Sequence, residues 1–598
     1  MRFPSSRNPY WLLIVLLTVA LGLRLYRVGT YAIYFDEKST LLISQGVVLE
    51  GANQKAVFSK KYFTPAEFWQ PKTLNDFIEA NIRGDIGNSP AYYGVLWLWL
   101  EVFGLSDTSL RMPSVIFSVL IVGLLFVFVR RHFRYLGQPT ADALALTSAA
   151  IATVEPFFVA YSHIARNYSM TFFFTLLGTH LFLLILERVG AGRRVAPGHY
   201  VAYGGVFVIS VLSHYLTVTV FLCHGLYALL YLRNARVWTA LGLTGALGLA
   251  LVSLWFVFGG GKYTFFTLDY QAKFYRNIAL TNPTGTPFGI ILPATFLNIT
   301  KRAVPIFADL YLPTNGLGTV LLGLRNSLPA LALGLAATAV IHRYGNVKKP
   351  PVWVYGAVPV LLLIGLPFYT VLPLRLLVLS AAVPFTYLIG RYVVTRVWGE
   401  PKRVVVLLVL LTFVPTLFLL VMAWRSGHTF GITQRYSGFS FPYVCILVAM
   451  GLHELVRLRG WFSVPLALVL LLQAGHILGL LGDIYADTAP KYTYFEKPRI
   501  ANPYWSSAQQ LKRLYAPGDT ILYPNPNRTI YSEKIDRTFA GSVSLLDAQL
   551  VMVYLPEDAR YIQRIDPNER DRIVLVKGGS GQRIPIFDFK DRTYRYGQ

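Results

Sequence analysis

Residues 11–29, WLLIVLLTVALGLRLYRVG, run almost directly into Tyr34-Phe35-Asp36-Glu37-Lys38. About 20 apolar residues let a helix cross a hydrocarbon core about 30 Å thick. Arg2 and Arg7 precede the run, as in a secretory signal, but no small-x-small cleavage site follows it. The stretch reads as a retained first helix. Asp36 and Glu37 then fall where the chain leaves the membrane, a costly place for two carboxylates unless they are hydrated, paired or used.

The rest of the chain fits that reading. Of its 598 residues, 54% are hydrophobic and only 14% charged, against about 25% charged in a soluble globular protein. A net charge of +25 would suggest nucleic acid in a soluble chain. Here the Lys and Arg sit in short clusters between apolar runs, the topogenic pattern of a membrane protein, which also suits anionic head groups. No nucleic-acid partner is expected. Cys223 and Cys445 both lie in apolar runs and read as small core residues, not as a disulfide framework.

Thirteen spans are expected, at about 11–29, 112–130, 143–160, 168–186, 199–213, 216–232, 237–259, 317–341, 352–371, 374–391, 404–424, 439–456 and 462–482. The apolar piece 91–104 is too short to span and reads as interfacial or re-entrant. On this count Arg130–Arg134, Arg193-Arg194, Arg233 and Arg236, Lys348-Lys349, Lys402-Arg403, and Arg457 with Arg459 share a side with the N-terminus. The positive-inside rule makes that side cytoplasmic. The outer face receives 30–111, the turn at His163–Asn167, His214-Tyr215, the loops 260–316 and 425–438, and the tail from 483. The first outer loop has amphipathic pieces near 38–50 and 66–82. The tail carries a turn at Ala516-Pro517-Gly518-Asp519, a helical stretch Tyr504–Tyr515, and β-rich runs at 520–523, 550–554 and 572–576. The expected architecture is an all-α polytopic membrane protein, with a transmembrane domain over 1–482 and a small extracytoplasmic α/β domain over 483–598.

The candidate chemistry lies on one face. Asp36 and Glu37 read either as a hydrated, paired helix end or as a general base beside a second carboxylate. Asp85–Tyr93 opens the short apolar helix. Asn88 or Ser89 could cap it, or its free N–H groups could hold an anion. In the polar island Tyr161–Ser169, Arg166 could snorkel at a helix end or bind a phosphate. His163 lies in the same island. His214 could be a hydrogen-bonded packing residue or a ligand. Arg435 faces the same side as Arg166. No nucleotide-binding, HExxH or Ser-His-Asp signature is present. An activated substrate must then arrive in the membrane, which points to a lipid carrier with a phosphate head.

These residues resemble the motifs of a known family, the membrane-embedded GT-C glycosyltransferases that use polyprenyl-phosphate sugars. Most similar in style are the protein O-mannosyltransferase-like proteins (glycosyltransferase family 39) and the aminoarabinose transferases. An acidic pair after the first helix matches Asp36-Glu37. A D-x-x-(H/N)-x-P-x-x-Y element matches Asp85, Asn88, Pro90 and Tyr93, and R-x-P-S matches Arg111, Pro113 and Ser114. Y-S-x-x-A-R-x-Y-S matches Tyr161, Ser162, Ala165, Arg166, Tyr168 and Ser169. H-Y matches His214-Tyr215, and a late R-Y ahead of an apolar segment containing Pro442 matches Arg435-Tyr436. The resemblance covers mainly residues 10–235, with an echo at 425–456. Where the family often has His and Pro, this chain has Asn88 and Ser89.

The resemblance implies an inverting transfer to an acceptor hydroxyl on a lipid, glycan or protein. Asp36 would be the general base and Glu37 its neighbour, orienting it or binding acceptor. Arg166 and Arg435 would hold the departing polyprenyl phosphate. Asp85, Asn88, Tyr93, His163, Tyr168, His214, Tyr215 and Tyr436 are candidates for the substrate pocket. No metal or other cofactor is expected, since no convincing ligand cluster is present. The competing classes are a lipid-linked-sugar flippase or transporter, and a subunit of a polysaccharide polymerase. A bacterial inner membrane is the expected location.

Overall fold

The computed structural model describes residues 8–49, 52–70, 73–85, 88–285, 289–399, 403–488, 500–525 and 545–590. Ile86-Gly87, Lys402 and part of the tail lie outside this set. The chain is mostly helical. Among the described residues, eight helices are long and apolar enough to cross a membrane, and a ninth span is formed if the bent pair Gln138–Val154 and Pro156–Ser162 is counted as one. The shorter apolar helices Pro9–Leu25, Tyr215–Tyr231 and Val354–Phe368 fall on three more of the expected spans, and Pro197–Ser213 on the remaining one. The chain is an integral membrane protein.

The bend of 54° between Gln138–Val154 and Pro156–Ser162 has a chemical cause. Pro156 has no N–H to give, and its ring crowds the preceding turn. The carbonyls freed at the break need donors, because a bilayer offers no water to replace them. Arg24 of the first helix supplies them. It is wholly buried, with Nη2 donating to Ala152 O at 3.1 Å and Nη1 to Thr153 O at 3.1 Å. Its Nε donates to Ser118 Oγ at 2.7 Å, and that hydroxyl donates to Phe158 O beyond the break. One guanidinium thus joins the first helix, Asp107–His132, and both halves of the broken span.

The first outer loop is made of short helices. Phe35–Ser44 carries the acidic pair. The piece expected over 66–82 is two helices, Pro65–Phe68 and Leu74–Asp85. Pro90–Phe103 follows with 14 residues, started by Pro90 and stopped at Gly104, whose φ of 71° suits only glycine comfortably. Asp107–His132 begins three residues later.

The tail forms a four-stranded sheet of β1 (Thr520–Pro524), β2 (Ile562–Asp566), β3 (Arg572–Val576) and β4 (Arg583–Asp588). The order is β2-β1-β3-β4, with β1 and β2 parallel and the other pairs antiparallel. The helix expected from 504 is Pro503–Leu514. The run 550–554, expected to be β-rich, is instead the end of a helix, Leu546–Met552, and the turn after it. Every residue of that helix is buried. A short apolar run buried on all sides cannot be told from a strand by periodicity, and parallel strands need such a crossover.

The tail does not stand apart. Residues of the first outer loop (Leu41, Phe58, Phe63, Phe68), of Pro90–Phe103 (Tyr92, Leu96) and of the tail (Tyr504, Leu550, Ile573) lie in one hydrophobic cluster. Phe63 pairs with Gln563 as an extra antiparallel bridge on β2, its N–H donating at 2.9 Å and its carbonyl accepting at 2.8 Å.

Candidate active site

Helix Phe35–Ser44 sets Asp36 and Glu37 side by side with opposite surroundings. Glu37 is fully buried. Arg111, also buried, grips it with both arms: Nε to Oε1 at 2.8 Å and Nη2 to Oε2 at 2.8 Å. Glu37 Oε1 also accepts from Ala165 N at 2.7 Å, and Oε2 from Tyr34 N at 3.1 Å. Arg111 spends its other hydrogens on the carbonyls of Val28, Tyr31 and Ala32. The pair joins the exit of the first helix, the acidic helix, Asp107–His132 and the loop that carries Arg166. The sequence expectation set Glu37 beside Asp36, orienting it or binding acceptor; here both of its oxygens are bound by Arg111 and by backbone N–H groups. Arg111 entered the sequence reading only as part of a motif, because nothing local marks a partner 74 positions away.

Asp36 is partly open, with its side chain 20% exposed. Arg435 Nη1 lies 3.3 Å from its Oδ2. Arg166 stands next to it: its Nη1 donates to Thr40 Oγ1 at 3.2 Å and Tyr93 OH at 3.1 Å, and its Nη2 is 3.7 Å from Asp85 Oδ2. Thr40, one turn along from Asp36, donates to the Asp36 carbonyl at 2.8 Å, which ties the two arginine-bearing groups together. Tyr93 OH donates to Asp85 at 2.6 Å. Burial pushes the Asp85 carboxyl above its usual range, against the opposing pull of Arg166 and Tyr93. Arg166 stays cationic: burial opposes its charge, while Tyr93, Asp85 and Asp36 favour it.

The Arg166 backbone is held from two sides. Ser114 Oγ of Asp107–His132 donates to Ile164 O at 2.7 Å and Arg166 O at 3.2 Å. Buried Asn167 donates to Ser89 Oγ at 2.7 Å and to Ser213 O at 2.5 Å. Ser89 sits at φ 58°, left-handed for a residue with a Cβ. Asn88 lies beside it, with its carbonyl accepting from Asn81 Nδ2 at 2.7 Å and its buried Oδ1 without a hydrogen-bond partner. Ser114 stands in the sequence only as part of the R-x-P-S motif, and Asn167 and Thr40, short polar residues in helical contexts, carry no sequence signal.

His214 completes a ring wall. Its ring lies 5.5 Å from Tyr436 and 6.2 Å from Tyr168, and the Arg435 guanidinium is 5.0 Å from the Tyr436 ring centre. Burial, with Arg166 and Arg435 close by, pushes the His214 pKa down to about 3, so the imidazole is neutral. Its Nδ1 accepts from Leu216 N at 3.2 Å, which leaves the proton on Nε2. Two candidates have rings packed against other elements. His163 lies against Tyr485 at 5.8 Å, on the side of the last span. Tyr215 packs on Phe256 at 5.2 Å. Among the described residues, no group of three or more His, Cys, Asp or Glu is placed to hold a metal ion.

The site thus assembles two guanidinium groups, one partly open carboxylate, a second carboxylate shared with a phenol, and a neutral imidazole. That set can hold a dianionic head group while a base stands beside it.

No family model matches the chain, and no curated protein matches it. Among solved structures, it is similar to ArnT from Cupriavidus metallidurans bound to undecaprenyl phosphate, with a TM-score of 0.38 and 14% identity, covering 91% of this chain and 85% of that one. The Archaeoglobus fulgidus oligosaccharyltransferase in its apo form gives a TM-score of 0.45 and 12% identity over 93% of this chain and 65% of that one. AglB from the same organism, in complex with an inhibitory peptide and a dolichol-phosphate, gives 0.40 and 13% over 85% and 58%. At such scores and identities the likeness assigns no residue and no substrate to this chain.

Proposed function

We propose that the chain is a GT-C-type glycosyltransferase of about thirteen spans, moving a sugar from a polyprenyl-phosphate donor to an acceptor hydroxyl. The observation that carries this reading is the placement of the partly open Asp36 carboxylate beside Arg435 and Arg166. Asp36 takes the proton of the acceptor hydroxyl as its oxygen attacks the anomeric carbon from the face opposite the phosphate. The bond from that carbon to the phosphate oxygen breaks, and the configuration inverts. Negative charge grows on the leaving phosphate, and preorganised cations lower that barrier. Arg435, which touches Asp36, also reaches the donor phosphate. The wall of His214, Tyr168 and Tyr436, with Asn88 and Tyr93, borders the sugar.

The site lies near the start of Asp107–His132, and Arg130-Arg131 near its end, about 30 Å away along a helix of this length. With the basic end cytoplasmic, the chemistry occurs on the extracytoplasmic face of a plasma membrane, where ATP is absent and a lipid carrier supplies the activated sugar.

The test is incubation of the purified protein with a panel of undecaprenyl-phosphate hexoses and pentoses and a membrane extract, with products read by mass spectrometry. Sugar-bearing product and free undecaprenyl phosphate are expected. Asp36→Asn should lose at least about a hundredfold in turnover while binding undecaprenyl phosphate as the wild type does. Near-normal turnover by Asp36→Asn removes it as the base; lipid movement across vesicles without transfer favours a flippase.

A further inference from the structure

The tail reaches the acidic helix at Lys38. This lysine follows Glu37 directly and is 1% exposed. Its Nζ lies 5.3 Å from the ring centre of Tyr504 in the tail helix Pro503–Leu514. Tyr504 is itself fixed: fully buried, its hydroxyl donates to Asp547 Oδ1 of Leu546–Met552 at 3.0 Å. A desolvated ammonium over a ring is worth more than an exposed one. Two residues before Tyr504, Asn502 caps the same helix through Oδ1, while its Nδ2 donates to Asp107 Oδ1 at 2.8 Å and to Tyr554 OH at 2.9 Å. Asp107 opens the helix that carries Arg111 one turn later. Just ahead, Ile500 O accepts from Ala32 N at 2.7 Å, and Ala32 O is one of the carbonyls held by Arg111.

The segment 500–504 therefore touches three of the four elements that the Glu37–Arg111 pair joins: the exit at Ala32, the acidic helix at Lys38, and the first turn of Asp107–His132. A domain held to the membrane part only by a chain link would need none of these contacts. We propose that the tail is a positioning clamp for the acidic helix, with Tyr504 the positioning residue that fixes Lys38, and through it the direction in which Asp36 points at the acceptor. This rests on the transferase reading only for its effect on turnover; the clamp itself is a matter of contact.

Two measurements on the full-length protein separate these parts. The first is acetylation of lysines by acetic anhydride, read by mass spectrometry, with Lys60, whose side chain is 53% exposed, as the internal standard. Lys38 should label at least about tenfold slower than Lys60 in the wild type, since burial withholds both water and reagent. Tyr504→Leu should bring Lys38 towards the Lys60 rate, and Tyr504→Phe, which keeps the ring, should preserve the protection. The second is kinetics on whichever undecaprenyl-phosphate sugar is turned over. Tyr504→Leu should lower kcat by about tenfold with donor KM within about twofold, the signature of a contact that matters in the transition state and not in donor binding. Tyr504→Phe should restore most of kcat, and Trp505→Leu, at a neighbouring position that is 46% exposed, should behave as wild type. Lys38 labelling as fast as Lys60 in the wild type overturns the clamp, as does wild-type labelling in Tyr504→Leu. A fall in kcat matched by lost donor binding and lost thermal stability reduces Tyr504 to a packing residue and overturns the positioning role. If no donor is turned over, the transferase reading fails and the labelling still decides the clamp.

Discussion

Both oxygens of Glu37 are taken by Arg111 and by backbone N–H groups, while the neighbouring Asp36 meets the Arg435 guanidinium at 3.3 Å and is partly open. The two carboxylates should therefore respond to mutation in opposite ways. Glu37→Gln leaves a buried guanidinium without its countercharge, and breaking such a pair costs about 3–5 kcal/mol. Thermal unfolding in detergent should show a large loss for Glu37→Gln, and for Asp36→Asn a change within about 0.5 kcal/mol, as at an open position. Equal losses would sink the division of roles. His214 gives a pH test. Its folded pKa of about 3 lies below the ordinary value of about 6.5, so between these limits the unfolded chain binds the extra proton. Stability from this residue is complete above about pH 6.5 and falls as the pH drops towards 3, with a slope approaching about 1.4 kcal/mol per pH unit. His214→Gln should flatten the unfolding profile across that window; an unchanged slope would mean that His214 titrates normally.

Among the elements, the broken span Gln138–Val154 and Pro156–Ser162 depends on a side chain from another helix. Arg24→Met keeps the length and apolar stem of the residue but removes the donors to Ala152 O, Thr153 O and Ser118 Oγ. Leaving such carbonyls unpaired costs on the order of 2–3 kcal/mol, and in a bilayer no water repairs it. The expected result is a lower unfolding temperature with a loosened Ser162–Asn167 loop, read as faster hydrogen exchange there; unchanged exchange would show that the break holds itself. This element also shows what the sequence could and could not tell. The apolar runs landed on helices because a run of about 20 such residues has few other solutions. The span 143–160 reads as unbroken in the sequence, whereas Pro156 breaks it, and the partner of the break carries no signal, since an arginine within an apolar run looks the same whether it snorkels or caps. The run 550–554 misled because β-branched composition reports burial as much as strand. At the site, charged residues could be found one by one from their placement beside spans. That Glu37 belongs to Arg111 and Asp36 to Arg435, across 74 and 399 positions, is a property of packing alone.

For the whole molecule, the shared core of first loop and tail changes what counts as the catalytic unit. Phe58 and Phe63 are 2% exposed and Phe68 is fully buried, and the cluster that covers them includes tail residues such as Tyr523, Leu550 and Met552. The Trp69 indole donates to Met552 O at 3.2 Å, and Gln549 Nε2 donates to Val48 O at 2.8 Å, so polar groups of both parts are also satisfied across the boundary. Phe63 occupies the outer edge of β2, where an uncovered edge would invite pairing with another chain. A chain cut after Thr488 keeps every helix that passes as a membrane span and loses the cover of the first loop. It should insert normally, because insertion depends on the apolar runs. Its first loop, however, should open, because the apolar groups there would have no partner surface to offset the entropy of ordering. Chymotrypsin distinguishes the outcomes: the full-length protein in detergent should resist cleavage at Phe58, Phe63 and Phe68, and the truncated one should be cut at all three while its spans stay protected. Equal resistance in both would mean that the first loop folds on the membrane domain alone and that the tail is an addition to the site, not a part of it.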